Sequence, residues 1–184
     1  MRWDRLFDDL EAQAEAYEAA EFDAEVGERA RYEIGQLRLV DRLRGALGQP
    51  VELRTVGGCL LRGRLDGVGA DWLLLVEQPD RAALVPCDAV ASVAGLGALS
   101  APPGSEGRVG ARLDLRHALR GITRDRSQVQ VLLTDGSTVV GTLDRVGVDF
   151  AELAEHERGE PRRPGAVHRV RTIPLRALAV VRNW

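Results

Sequence analysis

GRLDGVGADW, residues Gly63 to Trp72, returns as GTLDRVGVDF at Gly141 to Phe150, and this echo decides how the chain is organised. A fixed offset of 78 residues keeps Val51 over Val129, Gly58 over Gly136, Leu65-Asp66 over Leu143-Asp144 and Asp71 over Asp149 without a gap. Self-similarity of this kind marks a duplicated structural unit. The 184 residues therefore divide into two small units rather than one large domain.

Around each decapeptide the apolar residues alternate with period two, which predicts strands. In the first copy Val51 to Thr55 leads through Gly57-Gly58 to a second strand, Cys59 to Asp66. Glycine turns the chain there because it enters positive φ without steric cost. Gly67 to Asp71 makes another turn, Trp72 to Val76 is a near-continuous apolar strand, and short strands follow at Ala83 to Val85 and Ala89 to Val93. The second copy repeats the order from Val129 to Leu133, Asp135-Gly136, Thr138 to Leu143 and Asp149 to Leu153. Ile173 to Val181 then matches Val85 to Val93 at an offset of 88, so about ten residues are inserted after the third strand of the second copy. Five short strands joined by such tight turns are expected to close into a small, strongly bent barrel, which removes exposed edges.

A helix is expected ahead of each strand set. Arg112 to Ile122 is one; the other ends a longer pattern through Val26, Ala30, Ile34, Leu37, Val40, Leu43 and Leu47, stopped by Gly48-Gln49-Pro50. Before it, Trp3, Phe7, Leu10, Ala14 and Tyr17 form an apolar helical stripe, which makes the start of the chain a helical hairpin. The expected fold class is α+β, mainly β: an N-terminal helical hairpin, then two tandem five-stranded small β-barrels, each preceded by a helix. The domains run 1–36 (acidic amphipathic helices), 37–96 (first helix and barrel), 97–110 (a linker with Pro102-Pro103-Gly104) and 111–184 (second helix and barrel, with an Arg-rich loop at 154–170).

Apolar residues make up 45% and charged residues 29%, an ordinary soluble composition. No apolar run reaches the roughly 18 residues of a membrane span, and the acidic start does not resemble a signal peptide, so the expected location is cytoplasmic. All 25 basic residues are Arg. The net charge of −3 conceals a split: Met1 to Glu28 carries ten acids against Arg2 and Arg5, a local −8, and the remainder is +5. Cys59 and Cys87 lack metal-ligand spacing and read as small core residues.

The order of a helix, an apolar-x-apolar strand, a Gly with a second Gly five residues later, an Asp before an apolar strand and two terminal short strands resembles the Sm-like (LSm/Hfq-like) family. VELRTVGGCLLRG, Val51 to Gly63, is similar to the family's first motif, and VPCDAVASV, Val85 to Val93, lies where its short terminal motif stands. The whole chain also resembles a group of high-GC bacterial proteins with the same layout. The resemblance implies RNA binding, with polar or basic residues in the terminal motif and an aromatic platform beside the central Asp. It also implies assembly by pairing of fourth and fifth strands. The chain departs from the family in having Pro86-Cys87-Asp88 and Pro174-Leu175-Arg176 at the terminal motif. Trp72 and Phe150, beside Asp71 and Asp149, are the candidate stacking residues, with burial in the core as the alternative.

No catalytic constellation is present. His117, His156 and His168 have no Cys or carboxylate at metal-ligand spacing, the serines lack a nucleophile-elbow context, and no phosphate loop occurs. No enzyme, metal or cofactor is expected. The inserted loop offers one basic cluster, Arg158, Arg162, Arg163, His168, Arg169 and Arg171, with Arg176 beyond, as a candidate nucleic-acid-binding surface. The expected function is thus a non-catalytic module binding RNA or DNA. The alternative is a protein-interaction scaffold or homo-oligomer that assembles through strand edges and the acidic N-terminal helix.

Overall fold

A computed structural model of the chain describes residues 13, 17, 21, 22, 24–105, 112–160, 162, 163 and 165–183. The chain divides into two compact units, Met1–Leu37 and Arg38–Trp184. In the first, residues 24–35 are helical, with Val26 and Ile34 51% and 67% exposed. The stripe from Trp3 to Ala14 lies outside the described residues. The helix does not run on to Leu47 as the arm of a hairpin. It ends before Gln36, and a separate helix, α1 (Leu39–Gly45), starts the second unit. Arg38 accounts for the break. Its backbone is extended (φ −92°, ψ 160°), and its N–H donates to Asp41 Oδ2 at 3.1 Å, closing a capping box. Asp41 is fully buried. Burial pushes its carboxyl upward, but the bonds from Arg38 and the charges of Arg38 and Arg44 outweigh that and hold it below its ordinary range.

The strands lie where the period-two reading puts them. They are β1 (Pro50–Thr55), β2 (Leu60–Val68), β3 (Trp72–Gln78), β4 (Arg81–Pro86) and β5 (Val90–Ala94), then β6 (Gln128–Leu133), β7 (Thr138–Val146), β8 (Phe150–Glu155), β9 (Arg169–Pro174) and β10 (Leu178–Arg182). Between the sets lies α2 (Leu115–Asp125), N-capped by Asp114, whose side chain accepts the His117 N–H at 2.8 Å. The bounds of β1 and β2 recur in β6 and β7 at the offset of 78, and those of β4 and β5 recur in β9 and β10 at 88.

The strands do not close into two barrels. They form one ten-stranded antiparallel sheet in the order β5-β1-β2-β3-β4-β10-β6-β7-β8-β9. Within each repeat the first strand pairs with the fifth, β1 with β5 and β6 with β10, yet the fourth does not pair with the fifth. The edge of β4 is taken instead by β10 of the other repeat, through Val181↔Leu84 and Arg182↔Ala83. The sheet therefore stays open, with β5 and β9 as its edges, and the expected Sm-like small-barrel architecture is corrected to an open, mainly β sheet. Cross-repeat pairing satisfies the β4 edge as well as barrel closure would have done.

Burial follows the same exchange. The first core gathers Leu43, Leu53, Leu61, Leu65, Leu73, Leu75 and Val85 with Ala179 and Val180 from β10. The second gathers Leu119, Val131, Leu143, Leu153, Ile173 and Leu178 with Leu84 from β4. Beyond the ladder, Asn183 completes the seam: its Oδ1 accepts the Ala82 N–H at 2.5 Å, and its N–H donates to the Ala82 carbonyl at 3.2 Å. Glu77 on β3 reaches Arg182 on β10 at 3.1 Å and Arg81 on β4 at 3.1 Å. The linker is also held. Arg42 of α1 donates to the carbonyls of Gly97, Ala98 and Leu99 at 2.6, 3.0 and 2.8 Å.

The echoed decapeptide has a structural role in both copies. Leu65 and Leu143 are core residues, 0% and 2% exposed. Register shifts at Leu65/Gly67 and at Leu143/Arg145 make Asp66 and Asp144 bulge residues. A Cβ on Gly63 would stand 2.5 Å from the Val76 carbonyl oxygen, and one on Gly141 would strike that of Ala154. Gly141→Ala is expected to lower stability by about 1–3 kcal/mol through overpacking. Gly121→Ala, inside α2 with nothing within 4 Å of the new Cβ, is expected to raise stability by about 0.5–1 kcal/mol. Thermal or urea unfolding of the two variants checks the pair.

Candidate functional site

A groove of about 640 Å³ in the second unit is lined by Thr123, Arg124, Arg126, Leu143, Asp144, Arg145 and Arg162. Three elements build it. The C-terminal turn of α2 carries Arg124 and Arg126, the bulge in β7 presents Asp144 and Arg145, and the inserted loop brings Arg162 across. Arg162 forms a fork on Asp144, Nε to Oδ1 and Nη2 to Oδ2 both at 2.6 Å. That contact raises the Arg162 guanidinium above its ordinary range. Arg145 Nε donates to Glu152 Oε2 at 2.7 Å. Arg124 and Arg126 are exposed, and among the described residues neither side chain makes an ion pair or hydrogen bond.

Arg126 is the one described non-glycine residue with positive φ, 52°, in the left-handed cap of α2. At the same place in the first repeat stands Gly48, φ 81°. A side chain with a Cβ costs roughly 1 kcal/mol or more in this conformation where glycine costs little. The offset that pairs Gly48 with Arg126 also pairs Ala46 with Arg124 and Gly67 with Arg145. The first repeat has no arginine at any groove position, and the loop carrying Arg162 is absent from it.

The inserted loop is anchored where it leaves the sheet. His156, 4% exposed, places Nε2 at 2.9 Å from Thr142 Oγ1 and Nδ1 at 3.1 Å from the Glu157 carbonyl. Gln128 Nε2 donates to the same carbonyl at 2.7 Å, and Gln128 Oε1 accepts the Gly159 N–H at 2.7 Å. These three polar residues occupy positions held in the first repeat by Gln78, Arg64 and Pro50.

Of the basic residues singled out in the sequence, the groove receives Arg162 alone. Arg158 lies with Gln78, Pro79, Asp80 and Arg81 around a separate cleft. Arg163 and His168 are exposed. Arg171 and Arg169, on β9, both reach Glu155, at 2.5 and 3.6 Å. Arg176 lines a cleft of about 320 Å³ with Asp71, Asp88, Asp114 and Arg116. Trp72 and Phe150 are half-buried over their own turn glycines, Gly69 and Gly147, and Trp72 Nε1 donates to the Leu113 carbonyl at 2.8 Å. Arg124, Arg126 and Arg145 escaped the sequence reading because they are scattered along it. Aligning the repeats and asking where glycine or alanine becomes arginine would have found them.

Among the described residues no group of His, Cys, Asp and Glu side chains is placed to hold a metal ion, and no helix is long and apolar enough to cross a membrane. No protein-family model matches the sequence, and no curated protein matches it either.

The cleft around Asp71 makes its own prediction. Burial raises the Asp71 carboxyl above its ordinary range, with Asp114 and Asp88 adding to the shift against the N–H bond from Leu115. The adjacent Cys87 thiol is pushed up from 9.0 to about 11, by burial first and then by the Asp71 and Asp88 charges. Its thiolate fraction at neutral to mildly alkaline pH should be about a hundredfold below that of an ordinary thiol. Because a thiolate of higher pKa is also a better nucleophile, alkylation of native Cys87 by iodoacetamide, followed by peptide mass spectrometry, should be slowed by about tenfold, and denaturation should abolish the difference.

Proposed function

We propose that the chain is a non-catalytic binding module for RNA or DNA that engages backbone phosphates through the arginine groove of its second repeat. The observation that carries this reading is Arg126, a guanidinium kept in a left-handed cap where the sister repeat has a relaxed glycine. Strain held at one copy of a duplicated unit, beside three further arginines, marks a position retained for something other than folding. The groove lining contains no aromatic ring, so it offers charge and forked donors to phosphate and no stacking face to a base. Binding through it is sequence-tolerant and salt-dependent.

The test separates stability from function. Arg126→Gly should melt higher than the parent by an amount corresponding to about 1 kcal/mol. It should also bind single-stranded RNA and mixed-sequence DNA more weakly, with the slope of log affinity against log salt reduced by about 1. Arg124→Ala should weaken binding without the gain in stability. A higher melting temperature with unchanged affinity would show strain without a ligand and overturn the assignment.

A second reading, assembly into a scaffold, is favoured by the two unpaired edges. The seam between β4 and β10 has unused equivalents in β9 and β5, because the bounds of these strands coincide at the offset of 88. Val170 of β9 corresponds to Ala82, whose N–H and carbonyl point across the seam to Asn183. A second copy's β5 would meet the same outward groups of β9, a head-to-tail contact that can repeat. Light scattering should then find an oligomer for the parent and a monomer for Val170→Pro, which removes the outward donor. A monomeric parent at tens of micromolar sinks this reading.

A further inference from the structure

The groove holds a carboxylate among its arginines, and this carboxylate bears on how a phosphate enters. Asp144 is the bulge residue of β7, and the bulge presents its side chain to the groove rather than to the cross-strand pairs of the sheet. Its counterpart Asp66 pairs with Arg64 on its own strand at 2.7 Å. In the second repeat the position of Arg64 is Thr142, whose hydroxyl is engaged by His156. Asp144 therefore takes its arginine from the inserted loop, and Arg162 meets it in the fork geometry that a phosphate would also use.

We propose that Asp144 is an internal competitor for the ligand: a phosphate enters by exchange, its oxygens taking over the Arg162 guanidinium that Asp144 holds in the free protein. This rests on the reading of the groove as a phosphate site. Arg124 and Arg126, with no carboxylate partner among the described residues, supply the standing attraction. The anchored start of the loop, Gly159 on Gln128 at 2.7 Å, keeps Arg162 within reach once it leaves Asp144. Exchange sets a threshold. A ligand with one carboxylate offers Arg162 nothing that Asp144 does not already give, whereas neighbouring phosphates engage Arg124 and Arg126 together with Arg162. The device thus selects ligands with several neighbouring anionic groups over a lone acidic side chain.

The experiment is a double-mutant cycle on the full chain, read by fluorescence anisotropy of a labelled single-stranded RNA. Asp144→Asn should tighten RNA binding by about fivefold, the upper range for an exposed ion pair. Placed in an Arg162→Ala background, the same substitution should give less than half that gain, because only through-space repulsion is left to relieve. Thermal melts confirm that the single and double variants fold. Equal gains in both backgrounds would show simple repulsion, and weaker binding by Asp144→Asn would show that Asp144 braces Arg162 for the ligand; either overturns the exchange. If Arg124→Ala and Arg126→Gly also leave RNA binding unchanged, the groove itself is wrong and the exchange falls with it. Dependence on those two residues without the Asp144 effect removes the exchange alone.

Discussion

The pairing of β4 with β10 is the contact on which the second unit depends. Two residues of each strand form the ladder, yet side chains from both cross it in opposite directions, Leu84 into one core and Ala179 and Val180 into the other. Each repeat is therefore short of part of its own interior without its neighbour. Neither β4 nor β10 can be left as an edge without uncovering apolar surface as well as backbone donors and acceptors. Asn183 and the Glu77–Arg182 pair lie at the same junction. The side chains of that pair are only 14–15% exposed, so desolvation offsets most of their attraction, and the joint owes its strength to backbone pairing with burial.

The order and length of the strands were legible because alternation is a local property, and duplication wrote it twice. What alternation does not carry is which strand covers which edge. A fourth strand reads the same whether its partner is the fifth strand of its own repeat or of the other, so Arg81 to Pro86 gave no means of choosing between closure and an open sheet. The break between the N-terminal helix and α1 was missed for a related reason. Ile34, Leu37, Val40 and Leu43 keep helical spacing across it, while the capping box that starts α1 afresh has Arg38 in place of the Ser, Thr, Asp or Asn that would have announced it.

The candidate site was legible only where charge was contiguous. The inserted loop drew notice because its arginines are neighbours in sequence, but neighbouring residues in a loop point apart, and Arg169 and Arg171 meet Glu155 instead of the groove. Arg124, Arg126 and Arg145 converge because a helix end and a bulged strand lie side by side, which spacing alone does not announce. His156 shows the converse. Without Cys or carboxylate neighbours in sequence it looked like part of a loose loop, yet it is buried and bonded to residues 14 and 28 positions away.

Arg42 gives the connection between the repeats a character that its glycines and prolines conceal. By collecting three successive carbonyls from Gly97 to Leu99, it makes the start of that connection part of the first repeat. The span that must be closed to bring β10 onto β4 is shortened, and with it the entropic cost of closure, which grows only logarithmically with length. The second repeat thus meets the first at an effective concentration raised by the shorter tether. A duplicated unit that would otherwise need a separate partner has been given one in the same chain.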